Sequence, residues 1–235
     1  AAAAYSIDNS VRFNTDASFN KTSSSDAPTL ATKSTISFWV KMCSFGVSPT
    51  QNVIYTNGAV SPYFQMQWPG NTGAGPVPYV QNYASSNTLL YGNQNIRDPA
   101  AWYHVVFSYD STPSTPDASS MRLFINGTQV TSLQTATYGS QDVASALTQA
   151  SQAIYVGANA NGSAVFMDGY LAELMVVDGQ ALAATDFGEF DSDSPTIWKP
   201  IDISGITLGT QGFWLDFKDS ANMGNDAGGG TDFTE

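Results

Sequence analysis

The stretch that decides the fold spans residues 102–130: Trp102-Tyr-His-Val-Val-Phe-Ser-Tyr109, a polar connection, then Met121-Arg-Leu-Phe-Ile-Asn-Gly-Thr-Gln-Val130. Its first run alternates with a period of two, which is typical of a β-strand with one apolar and one mixed face. Asn126-Gly127 supplies the two positive-φ positions of a type I′ hairpin turn, and such a turn fixes the register so that Ile125 faces Thr128. The core-facing side is predicted to hold Tyr103, Val105, Phe107, Tyr109, Leu123, Ile125 and Val130, with Trp102, His104, Val106 and Ser108 opposite.

Strand patterns separated by turn residues continue along the chain on both sides of this stretch. Two segments indicate helix: residues 139–152, where Val143, Ala146 and Leu147 recur at helical spacing, and a single turn at residues 181–187. The pattern predicts an all-β fold, a two-sheet antiparallel jelly-roll sandwich with at most one or two short helical turns. The main further strands are expected at residues 5–13, 34–42, 53–56, 154–157, 165–177 and 213–217.

The most apolar of these strands, residues 165–177, contains an acidic residue. Strict alternation places Leu171, Glu173, Met175 and Val177 on one face of that strand. A carboxylate among apolar neighbours is either paired with hydrogen-bond donors or coordinates a cation, because an unpaired buried charge is costly. We favour a paired structural carboxylate, and coordination of a cation such as calcium is the alternative.

Length and charge limit the classes of protein. The chain has 235 residues, and we expect one domain over residues 1–235: a core at about residues 5–190 and an extension, residues 191–235, that adds a strand and a glycine-rich end. Eight basic residues against 20 acidic ones give a net charge of −12. With no basic cluster to contact phosphates, nucleic acid is not an expected partner. No apolar run is long enough for a transmembrane helix, so membrane insertion is not expected.

Residues that often carry chemistry are scarce. Cys43 is the single cysteine, so no intrachain disulfide is predicted. His104 is the single histidine, and we interpret it as a half-buried sheet residue with one hydrogen bond. Catalytic use of this histidine would need a nucleophile or a second base, and the sequence identifies neither.

Residues 62–91 carry many aromatic rings among glycines and prolines, which suggests short strands joined by long loops. One hypothesis makes these rings a platform that stacks on sugars, because tyrosine and tryptophan offer flat apolar faces with a polar tip. The other hypothesis, which we favour for most of the rings, has them plug the loops into the core. Trp68 is the best single candidate for a glycan contact, since Gln65 and Gln67 precede it and a Pro-Gly turn follows. The candidate ligand-binding residues are Trp68, Tyr63, Tyr79 and Tyr83.

Three segments carry a family resemblance: Trp102-Tyr-His-Val-Val-Phe107, Leu123-Phe-Ile-Asn-Gly-Thr-Gln-Val130 and Asp168-Gly-Tyr-Leu-Ala-Glu-Leu-Met-Val-Val-Asp-Gly-Gln-Ala-Leu182. Over about residues 10–190 they resemble the laminin G and pentraxin-like branch of the concanavalin A-like lectin/glucanase superfamily. The resemblance implies two curved sheets and glycan or protein binding on a sheet face or at loop tips, often with a structural calcium ion. Relatives often have an acidic pair where this chain has Ala172-Glu173. No cofactor is therefore assigned, and a structural calcium stays an alternative.

The C-terminal segments Trp198-Lys-Pro200, Gly209-Thr-Gln-Gly-Phe-Trp-Leu-Asp-Phe217 and Gly224-Asn-Asp226 are similar to a narrower group. That group consists of virion-associated proteins of tailed bacteriophages, found in tail fibres and capsid-surface appendages. The resemblance implies a non-enzymatic structural component at the virion surface, a capsid decoration or tail fibre, whose lectin-like module contacts glycan or protein. Its implied partners are other virion proteins, further copies of itself in a homo-oligomer, and host-surface polysaccharide.

Two alternatives come from other classes of protein. The first is a self-assembling structural protein with no glycan ligand, because few lysines protect the sheet edges from pairing with a neighbour. The second is a glycoside hydrolase of the same superfamily, whose paired carboxylates typically stand in the pattern Glu-x-Asp-x-x-Glu. The nearest segment is Glu189-Phe-Asp-Ser-Asp193, and Ser194 stands where the second glutamate belongs. We therefore predict that the protein is not an enzyme.

Overall fold

The computed structural model describes residues 5–14, 16–43, 51–56, 61–67, 77–159 and 165–235. These residues form two seven-stranded antiparallel sheets and one two-stranded hairpin, with a single 3-10 turn as their helical element. The predicted all-β, two-sheet antiparallel sandwich is therefore confirmed. Within the same residues, no helix is both long and apolar enough to cross a bilayer.

The first sheet, sheet A, is built around the predicted central strand. Its spatial order is β1-β13-β3-β8-β9-β10, and β16 also pairs with β13. The strands of sheet A are β1 (Val11–Phe13), β3 (Lys33–Met42), β8 (Tyr103–Asp110), β9 (Met121–Ile125), β10 (Thr128–Gln129), β13 (Gly169–Asp178) and β16 (Phe213–Leu215).

The second sheet, sheet B, has the spatial order β11-β7-β6-β5-β4-β12-β2. Its strands are β2 (Phe19–Thr22), β4 (Asn52–Thr56), β5 (Tyr63–Gln67), β6 (Tyr79–Tyr83), β7 (Asn87–Gly92), β11 (Leu133–Thr137) and β12 (Ala153–Val156). The separate hairpin joins β14 (Gly188–Phe190) to β15 (Trp198–Pro200). Asn57-Gly58, a pair that is typical of a turn, follows β4 and lies outside the described residues.

The hairpin of β9 and β10, at one edge of sheet A, has the predicted register. Thr128 pairs with Ile125, and Asn126 and Gly127 adopt φ angles of 47° and 76°. The apolar sides of β8 and β9 pack onto sheet B, where the ring centres of Phe64 in β5 and Phe107 in β8 lie 5.9 Å apart. Period-two patterning therefore identified the core face of both β8 and β9 correctly.

The predicted strict alternation along β13 is wrong, because the strand contains a β-bulge. Glu173 and Leu174 together oppose the single residue Phe38, and Glu173 has a φ of 48°. The extra residue reverses the alternation. Leu171 and Leu174 both face the core between the sheets, while Met175 faces outward. The two faces of the strand are thus not those that a simple count predicts.

The predicted helix at residues 139–152 is also wrong: this segment forms a series of turns. Its carbonyl groups are bound by side chains rather than by amides four residues later. Tyr109 Oη donates to Val143 O at 2.9 Å, and Thr56 Oγ1 and Gln152 Nε2 each donate to Ala146 O at 2.9 Å. These side-chain bonds replace the helical ones. The predicted helical turn at residues 181–187 is confirmed as a 3-10 turn at Ala184–Asp186.

The extension after residue 190 covers the outward face of sheet A. A second apolar cluster forms there, in which Trp198 and Ile203 pack on Val106, Met175 and the 3-10 turn. Farther along, β16 adds Phe213 and Leu215 to the core between the sheets, as predicted. We refer to residues 188–208 as the sheet A cover. It leaves part of the outward face of sheet A open.

Candidate functional site

Three of the four candidate aromatic residues lie together on the outward face of sheet B. Phe64 of β5 and Val80 of β6 point into the core, so the residues on either side of each point outward. Tyr63 pairs with Tyr83, and Tyr79 lies on the same face. The expectation that these rings stand on long loops is wrong for the three tyrosines, which lie on strands. Trp68 lies outside the described residues.

The tyrosine rings form a ladder across neighbouring strands. Tyr55 and Tyr63 stack with ring centres 5.8 Å apart, and Tyr63 and Tyr83 stack at 5.3 Å. Tyr79 meets Tyr91 edge to face at 5.8 Å. Tyr83 keeps 39% of its surface exposed. Stacking fixes the ring planes, so the face is rigid before any ligand arrives.

Amide side chains join these rings in one hydrogen-bond network. Gln81 Oε1 accepts from Gln65 Nε2 at 2.7 Å and from Tyr79 Oη at 2.8 Å. Tyr63 Oη donates to the same oxygen at 3.3 Å, and Gln81 Nε2 donates to Asn87 Oδ1 at 3.1 Å. We call the surface formed by Tyr55, Tyr63, Gln65, Tyr79, Gln81, Tyr83, Asn87 and Tyr91 the tyrosine face.

The tyrosine face is electrically neutral. Lys21 is the one charged residue in the strands of sheet B as the structure describes them, and its amine points away to Asp226 on the core side. Burial raises the pKa of Tyr63 and of Tyr79 above the usual value, so both phenols stay neutral hydrogen-bonding groups. A chain of net charge −12 therefore presents a broad uncharged surface here.

Sequence reasoning missed Tyr55, Gln81 and Asn87 as members of this face. The sequence does contain a signal for β5 and β6, the central strands of this face. Tyr63-Phe-Gln-Met-Gln67 and Tyr79-Val-Gln-Asn-Tyr83 alternate with a period of two, which is typical of strands. The glycines and prolines of the intervening segment obscured that alternation. The registers between β4 and β5 and between β6 and β7, which add Tyr55 and Asn87, follow from tertiary pairing.

His104 lies far from the tyrosine face and is fully buried, not half-buried, with two hydrogen bonds rather than one. Trp198 Nε1 donates to His104 Nδ1 at 2.9 Å, so the ring proton is on Nε2, which donates to Ser37 Oγ at 2.9 Å. The imidazole also stacks on Trp39 at 4.8 Å. Burial lowers the pKa of His104 to about 3. The neutral ring joins sheet A to its cover.

The low pKa of His104 makes folding dependent on pH. The unfolded chain binds this proton with a pKa of about 6.5, so the stabilisation is complete above that pH and is lost as the pH falls toward 3. We expect the free energy of unfolding to fall by about 2 kcal/mol between pH 8 and pH 5 from this residue. Urea titrations of the wild type and of His104→Gln across that range measure the effect. Equal pH slopes for both proteins would contradict it.

Glu173 is paired with hydrogen-bond donors, as we favoured. Its Oε2 accepts from Trp214 Nε1 at 2.6 Å, and its Oε1 accepts from Tyr5 Oη at 3.3 Å. Burial is the largest influence on this carboxyl and raises its pKa. Both oxygens are thus engaged, and the neighbouring Ala172 has no side-chain oxygen. The Ala172-Glu173 position does not fit a calcium ion, and no three metal-binding side chains meet elsewhere in the described residues.

Comparison with models of known protein families identifies a family with the same kind of fold. A laminin G family model, described as the concanavalin A-like lectin/glucanases superfamily, matches residues 13–186. The chain therefore belongs to this superfamily. Among curated proteins, none matches it significantly by sequence.

Solved structures share the fold at low sequence identity. A Bacteroides ovatus protein described provisionally as carbohydrate binding has a TM-score of 0.56 and 16% identity, over 95% of this chain and 57% of that one. Tailspike protein 2 from a bacteriophage of Escherichia coli O157:H7 has a TM-score of 0.52 and 11% identity, over 87% of this chain and 26% of the tailspike. The chain thus spans only part of both proteins. A pentraxin from Limulus polyphemus has a TM-score of 0.47 and 17% identity, over 77% and 80% of the two chains.

Proposed function

We propose that the protein is a non-enzymatic carbohydrate-binding module that binds a neutral polysaccharide across the tyrosine face. The uncharged, pre-stacked tyrosine and amide surface carries the proposal. Sugar rings present apolar C–H faces that pack on aromatic rings, and their hydroxyls match the amides of Gln65 and Gln81. Because this face lacks a cation, it offers no partner for sialylated, sulfated or uronic acid glycans.

The most exposed ring tests this site. We expect Tyr83→Ala to weaken binding of a neutral polysaccharide about 2- to 12-fold, since a stacked ring contributes about 0.5 to 1.5 kcal/mol. Tyr83→Phe, which keeps the ring, should bind within about twofold of the wild type. Phe190→Ala removes a ring that is 45% exposed on the separate hairpin and is the matched control. The measurement is affinity electrophoresis in gels containing laminarin, agarose or host exopolysaccharide.

Measuring stability together with binding shows whether Tyr83 contacts the glycan or only stabilises the fold. The melting temperature of Tyr83→Ala should stay close to that of the wild type, because Tyr83 lies on the outward face of sheet B, is 39% exposed and does not belong to the core between the sheets. If none of the neutral polysaccharides slows the migration of the wild type, the proposal is wrong. Trp68→Ala belongs in the same series, since Trp68 is the fourth candidate ligand-binding residue.

We also propose that the module is a structural component of a bacteriophage virion, located on the particle surface as a capsid decoration or a tail fibre. Support comes from the resemblance of the C-terminal segments around Trp198 and Phe213 to virion-associated proteins. Electron microscopy of purified particles with a labelled antibody tests the location. Particles that carry no label on capsid or tail would exclude it.

The absence of enzymatic activity is part of the proposal. Glu173 is engaged by Trp214 and Tyr5, and Glu189 lies on an exposed hairpin, where it pairs with Lys199 at 3.2 Å. Neither glutamate is therefore placed beside the tyrosine face. Reducing-sugar assays on the polysaccharides that bind should detect no release. Turnover that disappears on mutation of one carboxylate would overturn this part.

Self-association is the second candidate function, and the neutrality of the tyrosine face favours it as well. Two copies of a strongly acidic chain repel least where neither has a charge. The partners would then be further copies in a homo-oligomer and other virion proteins. Sedimentation equilibrium of the wild type and of Tyr83→Ala tests whether this face mediates a dimer. A monomer at the highest concentration that stays in solution would count against it.

A further inference from the structure

A groove of about 530 Å³ lies on the outward face of sheet A, on the opposite side of the sandwich from the tyrosine face. Its volume is within the usual range of small-molecule sites, about 300 to 1,000 Å³. Ala172 and Trp39 form its floor on neighbouring strands, and Trp102 forms one wall. We call this site the tryptophan groove.

The groove exists because one outward position of sheet A has a small side chain. Ala172 pairs with Trp39, and Trp39 pairs with His104, so a residue with only a methyl side chain ends a row of large rings. The sheet A cover lies over His104 through Trp198 and reaches the groove only at Pro200. The open strip of sheet between the cover and the N-terminal segment is the groove.

Its aromatic side chains are held in place. Trp39 stacks on His104 at 4.8 Å, and Trp102 meets the ring of Tyr170 edge to face at 6.4 Å. Arg12 in turn lies over Tyr170 at 5.3 Å and pairs with Asp168 at 2.8 Å. Trp102 nevertheless keeps 36% of its surface exposed. The indole of Trp102 therefore presents a flat apolar surface in a fixed orientation.

The opposite wall of the groove is polar. It consists of the segment from Tyr5 to Ser10, which lacks regular secondary structure and presents a carboxylate, an amide and two hydroxyls. Ser6 Oγ donates to Asp8 Oδ1 at 2.8 Å, which holds that carboxylate on the wall. A ligand that fits must be apolar on one side and rich in hydroxyls on the other. The members of the polar wall are Ser6, Asp8, Asn9 and Ser10.

We propose that the tryptophan groove is a second saccharide-binding site, which takes one to a few residues of a neutral sugar. The apolar face of a pyranose stacks on the indoles of Trp39 and Trp102, and its hydroxyls donate to Asp8 and bond Asn9. Asp8 is the one charged side chain that lines the groove, so acidic sugars are rejected. The proposal for the groove depends only on the geometry of the groove. If the tyrosine face also binds glycan, as proposed above, the module can bridge two glycan segments, and this consequence rests on that proposed function.

Hydroxyl-radical footprinting read by mass spectrometry reports on each ring separately. The probes are laminarihexaose, cellohexaose and agarohexaose at up to about 10 mM, with 3′-sialyllactose as the acidic control. We expect at least one neutral hexaose to slow oxidation of Trp102 about threefold or more, because a stacked sugar removes water from the exposed indole. Phe190, which is 45% exposed outside the groove, should oxidise at an unchanged rate.

Two variants separate this site from the tyrosine face. In Trp102→Ala, calorimetric stoichiometry with the protecting hexaose should fall from two sites to one, and protection of Tyr83 should persist. In Tyr83→Ala, protection of Trp102 should persist. Trp102 oxidation that no neutral hexaose slows would overturn the groove, whatever happens at Tyr83. Protection of Trp102 without protection of Tyr83 would leave the groove standing and reject the tyrosine face. Equal protection of Trp102 by 3′-sialyllactose would overturn the assignment to neutral sugars.

Discussion

We expect Trp198→Ala to lower the free energy of unfolding by about 3 to 5 kcal/mol, the range for truncation of a buried aromatic side chain. The indole of Trp198 is 8% exposed, stacks on His104 at 5.9 Å, and meets Phe190 edge to face at 4.9 Å. Its ring also packs directly on the hairpin turn, where a Cβ on Gly127 would collide with it. The substitution therefore removes the centre of the sheet A cover.

The loss has two components that a second variant separates. Truncation opens a cavity, and it also leaves the buried His104 Nδ1 without its donor, which costs about 1 to 3 kcal/mol by itself. Trp198→Phe keeps most of the packing and should show mainly the second component. Ile197→Ala removes a neighbouring side chain that is 57% exposed and should change stability by less than about 0.5 kcal/mol. Urea denaturation measures all three, and a Trp198→Ala loss no larger than that of Ile197→Ala would show that the cover does not stabilise the fold.

The parts of the fold that could be predicted from the sequence are those that local patterns determine. Local patterns predict β8 and the hairpin of β9 and β10: Asn126-Gly127 dictates its own turn, and period two orients Val105 and Phe107 of β8. The bulge at Glu173 has no comparable local signal. It lies where β13 stops pairing with β1 and starts pairing with β16, a strand some 40 residues later in the chain. Long-range pairing of this kind is invisible to a residue count.

The candidate site was predictable in composition but not in placement. Tyr63, Tyr79 and Tyr83 were selected for their chemistry, and the structure brings them onto one face. Their assignment to loops failed because the glycine- and proline-rich residues between β5 and β6 dominate the local composition. The tryptophan groove was not predictable at all. It depends on Ala172 being small at the position where the sheet A cover ends.

A buried ion pair attaches the C-terminal residues to sheet B. Lys21 Nζ lies 3.2 Å from Asp226 Oδ2, and the two side chains are only 8% and 1% exposed. The amine also lies 4.5 Å from the ring centres of both Phe213 and Phe233. Burial lowers the pKa of Lys21, the largest influence on it, while Asp226 opposes that shift. The glycine-rich end is thus held by an ion pair and aromatic contacts, together with a backbone bridge between Asn20 and Thr234.

We expect Lys21→Met to lower the free energy of unfolding by about 3 to 5 kcal/mol, because it leaves the carboxylate of Asp226 buried and unpaired. The backbone amides of Trp214 and Gly228 donate to Asp226 Oδ1 at 3.0 Å, and an asparagine oxygen can accept the same bonds. The double variant Lys21→Met/Asp226→Asn should therefore recover most of the loss. Arg12→Met breaks an ion pair whose partners are 46% and 24% exposed and should lower the free energy of unfolding far less than Lys21→Met does, because solvent screens the exposed pair. Urea denaturation of the wild type, Lys21→Met, Asp226→Asn and the double variant gives the coupling energy between Lys21 and Asp226. A double variant less stable than Lys21→Met would show that the hydrogen bonds of Asp226, rather than its unpaired charge, determine the effect.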